Sequence, residues 1–113
     1  MRTRRSKINQ AIDSFIKQLR SHYIDQVTNV KLFGSYVRGE YKEYSDIDLL
    51  IIVKQKDWNT WFAIQKVASE ISLKYDLLLS TFIMSDKHIE QLDQKNSAFI
   101  RQVREQGKEL WVK

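Results

Sequence analysis

From residue 4 to residue 27 the apolar positions fall at Ile8, Ile12, Phe15, Ile16, Leu19, Tyr23, Ile24 and Val27. Steps of three and four with two single steps form the stripe of a helix that packs one side on a core, so this segment is predicted as helix. Val30 to Phe33 predicts a short strand ending at Gly34, Ser35 to Gly39 one helical turn, and Glu40 to Ser45 a polar connection. Asp46 to Lys54 predicts a second strand. It is apolar on both faces beyond Asp48, as a central strand is. Trp58, Trp61, Phe62, Ile64, Val67, Ala68 and Ile71 mark an amphipathic helix over 57–74, with Asp57 near its start. Tyr75 to Met84 reads as a third strand, Ser85-Asp86 as the cap of a helix reaching about Leu92, and Asn96 as the cap of another that stops at Gly107.

The predicted order is therefore α-β-(turn)-β-α-β-α-α. The first two strands, joined without a crossover helix, should pair antiparallel, and the helix before the third strand permits a parallel return. The fold class that follows is α/β (α+β): a small mixed sheet flanked by helices. At 113 residues, without proline and with glycine only at 34, 39 and 107, the chain is expected to form a single domain over 1–113.

Composition removes several function classes. No apolar run approaches the ~20 residues of a membrane span. The basic start Met1-Arg2-Thr3-Arg4-Arg5 lacks the apolar core of a signal peptide. Without cysteine there is no disulfide framework, zinc-thiolate cluster or thiol chemistry, and a cytoplasmic setting is the default. The net charge of +5 is scattered along the chain without the Arg–aromatic interleaving of a nucleic-acid surface, so no direct nucleic-acid partner is expected. A basic balance does suit a triphosphate ligand.

The chemistry gathers around the second strand. Asp46 and Asp48 are two apart, so on a strand their side chains leave one face with Cα atoms ~6.5–7 Å apart. Such a pair can bridge metal ions ~3.5–4 Å apart, the separation of two-metal phosphoryl chemistry. All-oxygen ligands favour Mg²⁺ or Mn²⁺ over zinc. Alone, Asp-x-Asp is also ordinary polar punctuation at a strand end. Asp76 interrupts the apolar run of the third strand, where an unpaired carboxylate is costly. It either faces water at an edge or turns into the same cavity as Asp46 and Asp48. Gly34 and Ser35 follow the first strand: a glycine lets backbone approach a ligand closely, and free N–H groups at a helical turn suit phosphate oxygens. Arg38 could add a fixed charge one turn later. The Gly-Lys-Ser/Thr ending of a Walker A loop is absent.

Gly34-Ser35, ten intervening residues, then Asp46-Ile47-Asp48 resembles the Gly-Ser-x10-Asp-x-Asp signature of the DNA polymerase β-like nucleotidyltransferase superfamily. The wider wording, Phe33 to Glu40 and Ser45 to Leu50, is similar to its minimal nucleotidyltransferase branch. Tyr75-Asp76-Leu77-Leu78 fits that branch's later carboxylate-bearing strand, and Phe99 to Gly107 with Leu110-Trp111 resembles its ending.

The resemblance implies that Gly34, Ser35 and Arg38 bind nucleotide, while Asp46, Asp48 and Asp76 are catalytic and ligate two Mg²⁺ ions. It also implies ATP as donor of AMP. Members of this branch are paired with HEPN-domain toxins as antitoxins that adenylylate a tyrosine. A HEPN partner in a hetero-oligomer is thus expected, with a homodimer as the alternative. Two other functions compete: an antibiotic-type nucleotidyltransferase with a small hydroxylated acceptor, and a non-catalytic antitoxin that masks its partner. His22 and His88 have no metal-ligand spacing and read as surface residues. Trp58, Trp61 and Phe62 read as core or interface, with base stacking as the other use.

Overall fold

The computed structural model describes residues 4–39 and 46–112, so the polar connection expected over 40–45 lies outside the described residues. Eight elements follow in order: α1 (Arg4–Tyr23), β1 (Val27–Phe33), β2 (Ile47–Val53), α2 (Trp58–Tyr75), β3 (Leu79–Ser85), α3 (Asp86–Gln94), α4 (Ala98–Gln106) and β4 (Lys108–Val112). The four strands form one sheet in the order β3-β2-β1-β4. β1 runs antiparallel to both β2 and β4, and β2 runs parallel to β3. This is the mixed sheet the pattern predicts.

β2 is central and alternates between two cores. Ile47, Leu49, Ile51 and Val53 enter the larger one, built with Ile8, Phe15 and Leu19 of α1 and with Ile64, Val67 and Ile71 of α2. Leu50 and Ile52 turn the other way, to Val103 of α4, with Phe33, Met84, Ile89 and Phe99 packed around them. Every residue of β2 but Asp48 is buried, which is why it reads as a continuous apolar run.

Local chemistry sets most of the boundaries. Asp57 caps α2: its Oδ1 accepts the Thr60 N–H at 2.8 Å and its Oδ2 accepts the Thr60 hydroxyl at 3.2 Å. The Ser85 hydroxyl accepts the His88 N–H at 3.0 Å and starts α3. Arg104 pairs with Asp93 and ties α4 to α3.

Three boundaries and one added strand differ from the pattern. α1 stops at Tyr23, and Val27 already belongs to β1, where it pairs with Val53 and is buried. Its place in the helical stripe was a coincidence of two elements burying residues toward the same core. Ser97, not Asn96, holds the N-cap position of α4, without a side-chain cap bond, and Asn96 instead takes a left-handed turn (φ +55°) between α3 and α4. The third strand starts at Leu79, because α2 carries on through Tyr75 and ends at Asp76. Finally, β4 extends the sheet beyond β1. Gly107, whose N–H bonds the Val103 carbonyl at 2.7 Å, turns the chain straight from α4 into it. Trp111 of β4 is buried in the larger core, with the Arg20 guanidinium 5.7 Å from its ring centre.

Candidate functional site

β1 ends where β2 begins, so Phe33 and Asp48 are cross-strand partners and Gly34 comes directly beside the Asp48 side chain. Gly34 has φ +84°, and a Cβ placed on it would stand 2.2 Å from Oδ2 of Asp48. Glycine is therefore required twice here, by conformation and by contact. The chain then makes the single turn the sequence predicts: the Arg38 N–H bonds the Gly34 carbonyl at 3.3 Å and the Gly39 N–H the Tyr36 carbonyl at 3.3 Å. Tyr36 donates its hydroxyl to Oδ1 of Asn9 at 3.1 Å and so fastens the turn to α1.

Asp48 is half-buried and Asp46, just before β2, is exposed. Burial pushes the Asp48 carboxyl above its ordinary value, the Asp46 carboxylate pushes it further, and the Arg38 guanidinium opposes both. The Gly34 turn, Asp46, Asp48 and Arg38 thus share one small region, with a half-buried carboxylate that gains from a cation. Two oxygen-donor side chains that repel each other beside an open backbone turn fit a hard divalent metal.

Asp76 stands apart from the strand position expected of it. It is the C-cap of α2, in the left-handed conformation (φ 51°, ψ 54°), exposed, with its N–H bonded to the Ser72 carbonyl. The reason is the helix end itself: Leu77 N–H also bonds the Ser72 carbonyl, at 3.1 Å, and the Ser72 hydroxyl accepts the Leu79 N–H at 3.0 Å. Asp76 does precede the strand parallel to β2, so it lies toward the end of the sheet that carries Asp46. Among the described residues, however, no three His, Cys, Asp or Glu side chains gather as a metal site. The β3 residue facing Asp48 is Ser80.

Other candidates sort cleanly. His22 and His88 are both exposed, as expected. Trp61 packs against the larger core, whereas Trp58 and Phe62 are 71% and 61% exposed. The three rings contact one another on α2, across the sheet from the Asp48 side. Sequence reasoning missed a different aromatic group, Phe33, Phe82 and Phe99, on the Asp48 face. The signal was the alternation Ser80, Phe82, Met84, visible once β3 is started at Leu79. A cleft of about 700 Å³, lined by Arg5, Asn9, Tyr36, Val37 and Lys108 among others, does not include the Asp pair.

Residues 12–108 match the family described as nucleotidyltransferase domain. Two proteins of Methanocaldococcus jannaschii, each named "Putative protein adenylyltransferase", are similar. MJ0141 is 44% identical over 78 residues, covering 68% of this chain and 79% of its own. MJ0604 is 35% identical over 103 residues, covering 90% and 96%. Among solved structures, a toxin–antitoxin complex with AMP-PNP aligns with TM-score 0.60 and 27% identity over 89% of this chain and 73% of that one. Spectinomycin adenyltransferase from Enterococcus faecialis aligns with TM-score 0.67 over 92% and 56%; at 15% identity that likeness is one of fold.

Proposed function

Because the chain belongs to the nucleotidyltransferase domain family, we propose that it moves AMP from ATP onto a hydroxyl of a partner protein, a tyrosine of a HEPN-domain toxin, and serves as that toxin's antitoxin. The observation that carries the reading is the close approach of Gly34 to Asp48, where a Cβ would stand 2.2 Å from Oδ2, which sets the Gly34–Ser35 turn beside the acidic pair. The similar archaeal proteins are named for protein adenylylation, and the AMP-PNP complex is a toxin–antitoxin pair. A further fold neighbour is an antitoxin bound to an AMPylated HEPN toxin of Shewanella oneidensis.

In this proposal the N–H groups of the Gly34–Ser35 turn and the Ser35 hydroxyl hold the β- and γ-phosphates, and Arg38 adds fixed positive charge. Asp46 and Asp48 hold two Mg²⁺ ions, replaceable by Mn²⁺. Bound metal supplies Lewis-acid stabilisation of the negative charge on the phosphoryl oxygens. The acceptor oxygen bonds the α-phosphorus as the bond to pyrophosphate breaks, and the hydroxyl proton passes to solvent water. Asp76 is assigned the third carboxylate's role beside that hydroxyl; its support is its position toward the Asp46 end of the sheet.

The test is incubation with labelled ATP, Mg²⁺ and the product of the neighbouring gene. Label on the partner, lost with Asp48→Asn, supports the proposal. An unlabelled partner that is nonetheless neutralised overturns it in favour of masking.

A further inference from the structure

Phe33 belongs to β1 and Phe82 to β3, with β2 between them, yet their ring centres are only 5.5 Å apart. Phe33 is the cross-strand partner of Asp48, and Phe82 that of Leu50. The two rings therefore meet across β2 on the face from which Asp48 projects. Phe99 of α4 closes the group, 5.5 Å from Phe33 and 6.3 Å from Phe82. Phe33 and Phe99 are half-buried against the smaller core. Phe82 is 39% exposed, on an edge strand.

Phe82 thus keeps part of its ring open to solvent on the face of Asp48, two residues along β2 from it. Its use lies in what it can stack. Phe33 is also the residue immediately before Gly34, so the aromatic surface and the turn assigned to the phosphates are continuous in the chain. A ligand with its phosphates at Gly34–Ser35 and its α-phosphorus at Asp46 and Asp48 has its remaining planar part free to reach this surface. Trp58 and Phe62, although more exposed, ride on α2 across the sheet and cannot serve the same ligand.

Resting on the function proposed above, we propose that Phe82, backed by Phe33 and Phe99, is the stacking platform for the purine base of the nucleotide donor. Base-on-aromatic stacking is tolerant of base identity and sensitive to ring loss. Phe82 then sets how tightly the nucleoside end is held, and leaves the phosphate end untouched.

Titration of the full chain in Mg²⁺ with ATP and, separately, with inorganic triphosphate tests this. Phe82→Ala is expected to weaken ATP by about tenfold, a typical cost of losing one stacking ring, with triphosphate affinity unchanged. Phe82→Leu, which keeps apolar bulk, should lose nearly as much, and Phe82→Trp should restore binding. The proposal is overturned if ATP binds Phe82→Ala as well as wild type, or if both ligands weaken equally. It is also overturned if ATP affinity holds while AMP transfer to the partner falls, since the ring would then serve the acceptor. Wild type that binds neither ligand sinks the proposed function and this inference together; wild type that binds both, with Phe82→Ala unchanged, sinks this inference alone.

Discussion

The two faces of the sheet solve different problems with the same strand. Toward α1 and α2, β2 presents Ile47, Leu49, Ile51 and Val53 to a closed apolar core. Toward α3 and α4 it presents Asp48, Leu50 and Ile52, and the cover there is thinner: Leu50 and Ile52 pack on buried Val103 within a rim of half-buried aromatics and aliphatics. The first face is dense enough to hold the fold. The second therefore accommodates a half-buried carboxylate whose charge is unfavourable until a cation arrives. Stability and chemistry are divided by the two-residue period of a strand.

The sharpest way to test that division is Asp48→Asn. Removing one carboxylate of the proposed metal pair should cost about 3 kcal/mol or more of transition-state stabilisation, roughly a hundredfold in AMP transfer. The metal-free protein should meanwhile melt no lower than wild type. Asp48 has a folded-state pKa above its ordinary value of 3.8, so the folded chain holds the proton more tightly than the unfolded chain. Stability then falls as pH rises through the window from 3.8 to the raised value, and at neutral pH the ionised group opposes folding. A melting point well below wild type in the variant would break the comparison.

Leu49→Ala, one residue along and on the other face, should do the reverse. Loss of a fully buried leucine costs about 2–4 kcal/mol of stability, read by urea denaturation, and activity falls only as far as the folded population falls. Gly34→Ala comes next and touches both properties. A side chain at φ +84° costs about 1–2 kcal/mol, and its Cβ must displace the Asp48 carboxylate. Melting and Mg²⁺ affinity should therefore drop together; retained metal affinity would show that the Gly34–Asp48 contact is dispensable.

Asp76→Asn is the finest probe. Asparagine tolerates the left-handed C-cap, so the melting point should stay within about 0.5 kcal/mol of wild type. AMP transfer should decline with ATP affinity unchanged. Full transfer activity would remove Asp76 from the site and leave the pair to act without it.

Several features were legible because neighbours in sequence cause them. Asp57 and Ser85 cap the helices they precede, since a cap bonds an N–H three residues on. The apolar run after Asp48 reads as a central strand because both its faces are covered. The juxtaposition of Gly34 with Asp48 was also accessible, as two adjacent strands joined by a short link must pair near the link. β4 was not legible: Lys-Glu-Leu-Trp-Val carries no two-residue alternation of its own and becomes a strand only because β1 offers a free edge. Asp76 was misplaced on strand three for a related reason. Tyr75 to Met84 is apolar enough for a strand, yet Tyr75 still packs into the larger core as a helix residue, with its hydroxyl 3.1 Å from that of Ser14.

The sequence by itself determined the types of the elements up to α4, the antiparallel-then-parallel order of the first three strands, and the turn-plus-acidic-pair motif, all consequences of short-range spacing and hydrophobic period. Tertiary structure decided which face each residue met. Only the packing of Tyr75 into the larger core and against Ser14 carries α2 on to Asp76, only the β1 edge recruits β4, and only the pairing of β1, β2 and β3 brings Phe33 and Phe82 together on the Asp48 face. Those are contacts between residues far apart in the chain, and a period read along one segment carries no information about what lies across the sheet.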